Sequence, residues 1–357
     1  MDSQPDKEFG NKRRVEEITA LIVIGALVLV GFIIYFIPNR RRAEIQAILA
    51  DLESLKLDPY YKEAVALNIE FFKAVRFPIS YLGWLIFKAP RIRRNRVRIT
   101  ELGDLPFPKW QKLLLETLSG FEARVPWMLQ PIKRKIIMEL ERLKEAQKGP
   151  IVVLSLGCGG MELERQVMYE LLRTRLNLPV VFIGVDYSAA VPEVMASRFA
   201  PLVSKGLLQV KTIPHLDTDV LNKLKIQTTS HMFSVVLLNT SAFDLKDLPE
   251  NSLSLIYHTR LRHHLTLEES RRLDELAIHL APKVIELDDL FSIPGFILAS
   301  IFAWRFPVVL NGGILSYLRD FSKKELLAQK AEAWTIATFS NPVWCHLRVY
   351  DKVKAEG

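Results

Sequence analysis

Three groups of residues in this chain have types and spacing that could do chemistry. The first is IVVLSLGCGGMELERQ, residues 151–166, where an apolar run meets Gly157, Gly159 and Gly160 and then passes into a helical pattern. Glycines lack the Cβ that would collide with a ligand and tolerate positive φ, so such a turn lets backbone approach a bound molecule closely. The second is Asp186, which ends the next apolar run, VVFIGVD, 27 residues after Gly159. A carboxylate placed there can accept both hydroxyl hydrogens of a ribose. The third is a trio of histidines, His258, His263 and His264, in the stretch IYHTRLRHHL.

The first two groups point to a nucleoside cofactor. A dinucleotide site would want a glycine where Glu162 stands, and a carboxylate facing a pyrophosphate is repulsive; a nucleoside without phosphate meets no such objection. The histidines are candidate general bases. A zinc site needs three or four converging ligands, and no cysteine or carboxylate companion stands at metal-like spacing from them, so no metal site is expected.

These residues need elements to hold them. From Ile151 onward short apolar runs alternate with helical segments, the arrangement of parallel strands covered by helices on both faces. Strands are expected at 151–156, 180–185, 233–238, 253–257 and 283–287. A last pair, 334–339 and 345–352, joined near Asn341-Pro342, reads as an antiparallel hairpin closing the sheet. The stretch 206–231 reads as an insertion that could include one more strand. The fold class is therefore α/β, a doubly wound Rossmann-like sheet, mostly parallel, over residues 149–357, with Gly149-Pro150 as its leading boundary.

At these positions the chain resembles the class I S-adenosylmethionine-dependent methyltransferases, from about Pro150 to Val353. LGCGG looks like the family's first motif, VDYS like its second, and SAFDLKDLPENSLSLIYHTRLRHHL like its third and fourth. The resemblance implies S-adenosyl-L-methionine as cofactor. It implies that Gly157 and Gly159, with Cys158 and Gly160 in the same turn, flank the methionine and ribose, and that Asp186, followed by Tyr187, holds the ribose hydroxyls. Ser241 and Ala242 would border the adenine, and Tyr257 and His258 would face the methionine or the substrate. Two positions depart from the family pattern: Met161 stands in place of a frequent third glycine, and Ser241 in place of a frequent aspartate. The segment 287–326 corresponds to a substrate lid, and its apolar part suggests a lipid-like or otherwise apolar methyl acceptor. The alternative is a methyltransferase-like binding or scaffold protein without catalysis.

Ahead of this domain, ITALIVIGALVLVGFIIYFI, residues 18–37, is twenty residues without a charge. At 1.5 Å per residue that is about 30 Å, the hydrocarbon thickness of a bilayer, and a transmembrane helix is expected after a polar tail 1–17. Residues 38–148 read as a helical, basic, membrane-proximal region. Its helix at 43–57 repeats Ile45, Ile48, Leu49, Leu52 and Leu55 at helical spacing. Phe71, Phe72, Tyr81, Trp84 and Phe87 then precede Arg91, Arg93, Arg94, Arg96 and Arg98, a mixture that suits a membrane interface or an ordinary core with a solvated face. Two helices are expected over 109–147.

The net charge of +8 is confined to the N-terminal part: residues 1–150 hold 26 Lys+Arg against 18 Asp+Glu, and the remainder is balanced. Such a distribution beside an apolar span suits an anionic bilayer, and with no binding motif present a nucleic-acid partner is not expected. Two cysteines, Cys158 and Cys345, make no disulfide framework. A domain that uses a cytosolic metabolite would lie on the cytoplasmic side of a single-pass anchor.

Overall fold

The computed structural model describes residues 39–352 apart from 57, 60, 96–100, 125–127, 147–148, 175–178, 228–231, 290–299, 301–302, 304–305, 320–333 and 342–344. The uncharged stretch 18–37 lies outside the described residues. Among those described, no helix is long and apolar enough to cross a membrane.

Continuous apolar runs form the centre because strands covered on both faces need no polar alternation. The strands are β1 (Ile151–Leu156), β2 (Val180–Val185), β3 (Leu208–Ile213), β4 (Phe233–Leu238), β5 (Leu255–Thr259), β6 (Lys283–Asp289), β7 (Trp334–Asn341) and β8 (Cys345–Lys352), in the order β3-β4-β2-β1-β5-β6-β8-β7. The first six are mutually parallel; β8 runs antiparallel to β6 and to β7, with Leu287 opposite Leu347 and Phe339 opposite Leu347. The mostly parallel sheet and its closing hairpin are thus present as the sequence predicts.

Four strands differ from expectation, of which β6 and β7 simply run two residues further, to Asp289 and Asn341. The insertion 206–231 is a further strand-helix unit, with β3 added at the edge of the sheet beside β4 and α9 (Thr218–Gln227) after it. Strand β5 begins two residues later than expected: Leu253 is 2% exposed but packs on the sheet's underside after the left-handed Asn251, and pairing starts only at Leu255.

One face of the sheet packs against α6 (Gln130–Ala146), α7 (Glu162–Arg173) and α8 (Val191–Val203), through Ile136, Val167 and Phe199 among others. The other packs against α9 and α10 (Leu267–Leu280), through Leu221, Leu273 and Leu280. Helix α6 precedes Gly149 in the chain, so the layer covering the sheet draws on the N-terminal region as well.

A second core holds α1 (Asn39–Ser54), α2 (Lys62–Val75), α3 (Pro78–Phe87), part of α5 (Pro108–Arg124) and α11 (Pro307–Arg319). A short α4 (Ala89–Asn95) adjoins them. Ile45, Ile48 and Leu52 of α1 meet Phe71 and Phe72 of α2, and Trp84 stands edge-on to Phe71 at 5.1 Å. Of the aromatics that could have marked a membrane interface, Phe71, Phe72, Tyr81 and Trp84 are therefore core, and only Phe87, at 70% exposed, faces out. Helix α11, from the lid-like segment, is a buried member of this core: Leu310, Ile314 and Leu315 are inaccessible, and the Asn311 amide donates to Asn68 Oδ1 at 2.9 Å while its Oδ1 accepts the Leu102 N–H. The rest of the lid-like segment is largely outside the described residues.

Candidate functional site

In an open sheet where the chain leaves β1 for β2 on one side and later crosses to β5 on the other, ligand crevices open at the carboxyl ends of these central strands. The glycine turn lies there. Gly157 and Gly159 take φ of +61° and +50°, and the backbone N–H groups of Gly157 and Cys158 donate to the Val185 carbonyl of β2. Met161 takes the left-handed φ of +53° that glycine would adopt without strain, and its side chain goes into the core against Gly184. It does not stand over the turn. Cys158 packs on the same Gly184, and burial pushes its thiol up, which makes it a packing group. Glu162 is buried and paired with Arg165 at 2.8 Å and Arg198 at 3.0 Å. Its charge is compensated, so the repulsion that spoke against a pyrophosphate carries little force.

Asp186 ends β2 and is half-buried. Its Oδ2 accepts the Gly159 N–H at 2.9 Å and its Oδ1 the Ser188 N–H at 2.9 Å. Burial raises its pKa, and those two N–H donors work against the rise. A carboxylate oxygen has room for a second hydrogen bond, so both remain able to accept a ribose hydroxyl. Asn239, just past β4, donates to the Asp186 and Ser188 carbonyls at 2.9 and 3.0 Å and fixes this loop. Ser241 caps a short 3-10 turn, accepting the Phe243 N–H, with Ala242 half-buried behind it; both lie at the same end of the sheet as Asp186. The glycine turn, Asp186 and the Ser241 turn are therefore brought to one edge, as the sequence requires.

Tyr257 and His258 are placed differently. Tyr257 is 1% exposed, and its hydroxyl donates to Glu164 Oε1 at 2.8 Å beneath the glycine turn, so it supports the turn from inside the core. His258 is on the opposite face, 3.8 Å from Glu286 Oε2, and burial lowers its pKa. It is buried away from the crevice. Neither side chain faces the place where a cofactor would lie.

His263 and His264 sit on a 3-10 turn, Arg262–His264, with ring centroids 4.3 Å apart. His263 Nδ1 is 2.9 Å from Asp288 Oδ1, and His264 Nδ1 is 3.4 Å from Asp104 Oδ1. Asp104 also accepts the Tyr187 hydroxyl, so the residue after Asp186 is tied to the histidine turn. Burial works to lower the His264 pKa, but Asp104 and Glu101 outweigh it and hold it at about 9. At neutral pH that imidazole is a charged donor, which removes it from the role of base in this arrangement. Asp104 itself is held well below the usual carboxylate range: burial opposes this, and His264, Tyr187 and Arg319 prevail.

Glu101 and Asp104 were not legible as site residues. They flank a short turn in ELGD, a helix-start pattern about 160 residues from the histidines, and only the fold joins the two. Glu164 was also missed. Burial raises its pKa from 4.5 to about 6, against hydrogen bonds from Ser155 and Tyr257. The folded protein then holds a proton that the unfolded chain has released, so stability falls as pH rises from about 4.5 through 6, by about 2 kcal/mol in all. Glu164→Gln should remove this: melts at pH 4.5 and 7.5 are expected to show the variant gaining about that much on the parent at the higher pH. Parallel pH profiles would mean that Glu164 is ionised throughout.

Space beside these groups is limited. A cavity of about 310 Å³ is lined by Tyr61, Asp104, Pro108, Gln111 and Tyr187 among others, next to Asp186. Over the turn itself, Leu261 Cδ1 stands 3.0 Å from where a Gly157 Cβ would be, and Ser119 Oγ 2.2 Å from that of Gly160. The polar groups fit a nucleoside, whereas a ligand lying along the turn requires Leu261 to swing aside.

No protein-family model matches the chain, and no curated protein matches it. Among solved structures it is similar to the carbon methyltransferase DszA (10% identity, TM-score 0.44), covering 85% of this chain and 69% of that one. It is similar to the CMeT domain of a citrinin polyketide synthase over the same shares, at 16% identity and TM-score 0.42. A putative S-adenosyl-L-methionine-dependent methyltransferase from Methanococcus maripaludis matches at 10% identity and TM-score 0.40, over 69% of this chain and 94% of that one. The chain spans 39% of the bifunctional kinase-methyltransferase WbdD, at 15% identity and TM-score 0.38. Likenesses this shallow fix neither family nor activity, and the α/β assignment rests on the strand order itself.

Proposed function

We propose that the chain is a membrane-anchored methyltransferase that binds S-adenosyl-L-methionine at the carboxyl ends of β1 and β2 and methylates an apolar or lipid-like small molecule. The observation that carries this reading is the glycine turn after β1 with Asp186 at the end of β2, hydrogen-bonded to the turn it faces. The cofactor, when bound, supplies a methyl group on a sulfonium, which reacts on alignment and exclusion of water and has no obligatory base. Asp186 would accept the ribose hydroxyls, the Gly157–Gly160 backbone would allow close approach, and the Ser241 turn would border the base. Calorimetric titration of the purified chain with S-adenosylmethionine and with NADH tests it. Binding of the first alone supports the proposal, and binding of NADH alone overturns it.

Support for the bilayer as partner comes from two places. The stretch 18–37 carries no charge. On α3 and its flanks, Phe77, Ile79, Leu82, Ile86 and Phe87 form an exposed apolar stripe, 43–86% accessible, and residues 71–100 contain eight Lys+Arg and no Asp or Glu. Although Lys88 is paired with Glu70 at 2.8 Å, an apolar face with such a surplus of cations suits an anionic lipid surface. The intact chain is expected to stay with membranes through a high-salt wash, since screening strips attachment that is electrostatic alone. Recovery in the salt supernatant would remove the anchor from the proposal.

A further inference from the structure

Two stretches remote in sequence meet at one point. Glu101 precedes the short turn Leu102–Asp104, and His263 and His264 lie on the turn after β5. Each offers one ligand atom, and these atoms all lie within 4.8 Å of one another. The carboxylate companion that histidine spacing lacks in the sequence is therefore supplied by the fold.

The surroundings fix these side chains in place. His263 Nδ1 is backed by Asp288 at 2.9 Å, and the other Asp288 oxygen accepts the Arg262 backbone N–H at 3.0 Å, which fixes the carboxylate and orients the ring. Glu101 Oε1 accepts the Ser316 hydroxyl at 2.6 Å. His264 Nδ1 lies 3.4 Å from Asp104 Oδ1, an ion contact rather than a hydrogen bond. Metal-bound imidazoles are oriented in this way by carboxylates behind them. Glu101 and Asp288 are 3% and 4% exposed and Asp104 is half-buried, so the ligand atoms and the carboxylates behind them lie largely out of water. An ion bound here displaces the proton of His264, since only a neutral imidazole is a ligand.

We infer that Glu101, His263 and His264 bind a divalent first-row transition ion, zinc foremost, through two imidazoles and one carboxylate, with a further position for water or a substrate oxygen. Bonds of about 2.0–2.2 Å set ligand atoms roughly 3.4 Å apart. The 4.8 Å outer limit thus leaves at most about 1.4 Å for side-chain rotation to close. Beside the Asp186 loop, such an ion would polarise an oxygen of the methyl acceptor; that use rests on the proposed function, whereas occupancy does not.

The test uses the full chain in detergent, stripped with a chelator and titrated with Co(II), read by its visible ligand-field absorption, with Zn(II) as competitor. One equivalent per chain is expected. Glu101→Gln, which can still accept the Ser316 hydroxyl and so keeps the turn, should weaken binding at least tenfold, and Asp288→Asn by about 10- to 100-fold through misorientation of His263. Far-UV circular dichroism establishes that each variant is folded. No stoichiometric uptake, or uptake unchanged in both variants, overturns the site. Calorimetry of the metal-free chain with S-adenosylmethionine separates the two ideas: metal binding without cofactor binding overturns only the methyltransferase reading, and cofactor binding without metal binding overturns only the cation site.

Discussion

Glu286→Gln is expected to destabilise the protein by about 3–5 kcal/mol, near the whole stability of many domains. Glu286 of β6 is 1% exposed and accepts from Arg262 Nε at 2.8 Å and Arg262 Nη2 at 2.9 Å, from Arg348 Nη2, and from the Tyr350 hydroxyl at 3.1 Å. Removing its charge at constant shape leaves two buried guanidiniums facing a neutral amide. Arg348→Met should cost less, because Arg262 still chelates both oxygens of Glu286. Burial would raise the Glu286 pKa, but Arg262, Arg348 and His258 hold it well below the usual range. A folded-state pKa below the unfolded one gives stability that is present above the unfolded value and lost as pH falls through the window beneath it. The parent should therefore lose stability in acid more steeply than Glu286→Gln does. Denaturant melts of the two variants decide the matter, and a larger cost for Arg348→Met would show that Glu286 is not the hub. The cluster also bears on the site, since Arg262 begins the turn that carries His263 and His264.

What could be read without the structure follows from burial. Strands β1, β2 and β4 are covered on both faces, so their residues are apolar without interruption and their limits are plain. Strand β3 is an edge, with Gln209, Lys211 and Thr212 half-buried or exposed, and its pattern is diluted to that of a loop. Helix α3 is apolar on two sides, Tyr81 and Trp84 inward and Ile79, Leu82 and Ile86 outward, so composition could not say which aromatics were core. The glycine turn and Asp186 were legible because one strand-turn-helix unit and the next strand hold both. The partners of the histidines were not. Glu101 and Asp104 reach them from about 160 residues away and Asp288 from the next strand, 25 residues on, and nothing in local spacing records either contact. Tyr257 was misplaced for a simpler reason: one residue's alternation decides the face of a strand, and it falls on the core side with Glu164 beneath it.

Asp186→Ala is expected to weaken S-adenosylmethionine binding by about 2–3 kcal/mol, roughly 30- to 150-fold, because a carboxylate accepting two ribose hydroxyls makes charge-assisted hydrogen bonds that no neutral side chain replaces. The geometry adds a second effect that a strand-end carboxylate in an open cleft would not have. Asp186 already accepts the Gly159 and Ser188 N–H groups, so the alanine variant leaves both donors to water or unpaired, at about 1 kcal/mol each. Its melting temperature without cofactor should therefore fall as well, and binding must be measured below that lower transition. Asp186→Asn separates the two roles: the amide oxygen can keep one of the two N–H bonds, its NH2 cannot accept the other, and the charge is lost, so about half of the stability should return while much of the affinity does not. If Asp186→Ala melts early yet binds as tightly as the parent, the carboxylate serves the Gly159 turn alone, and the nucleoside reading of this crevice loses its main physical support.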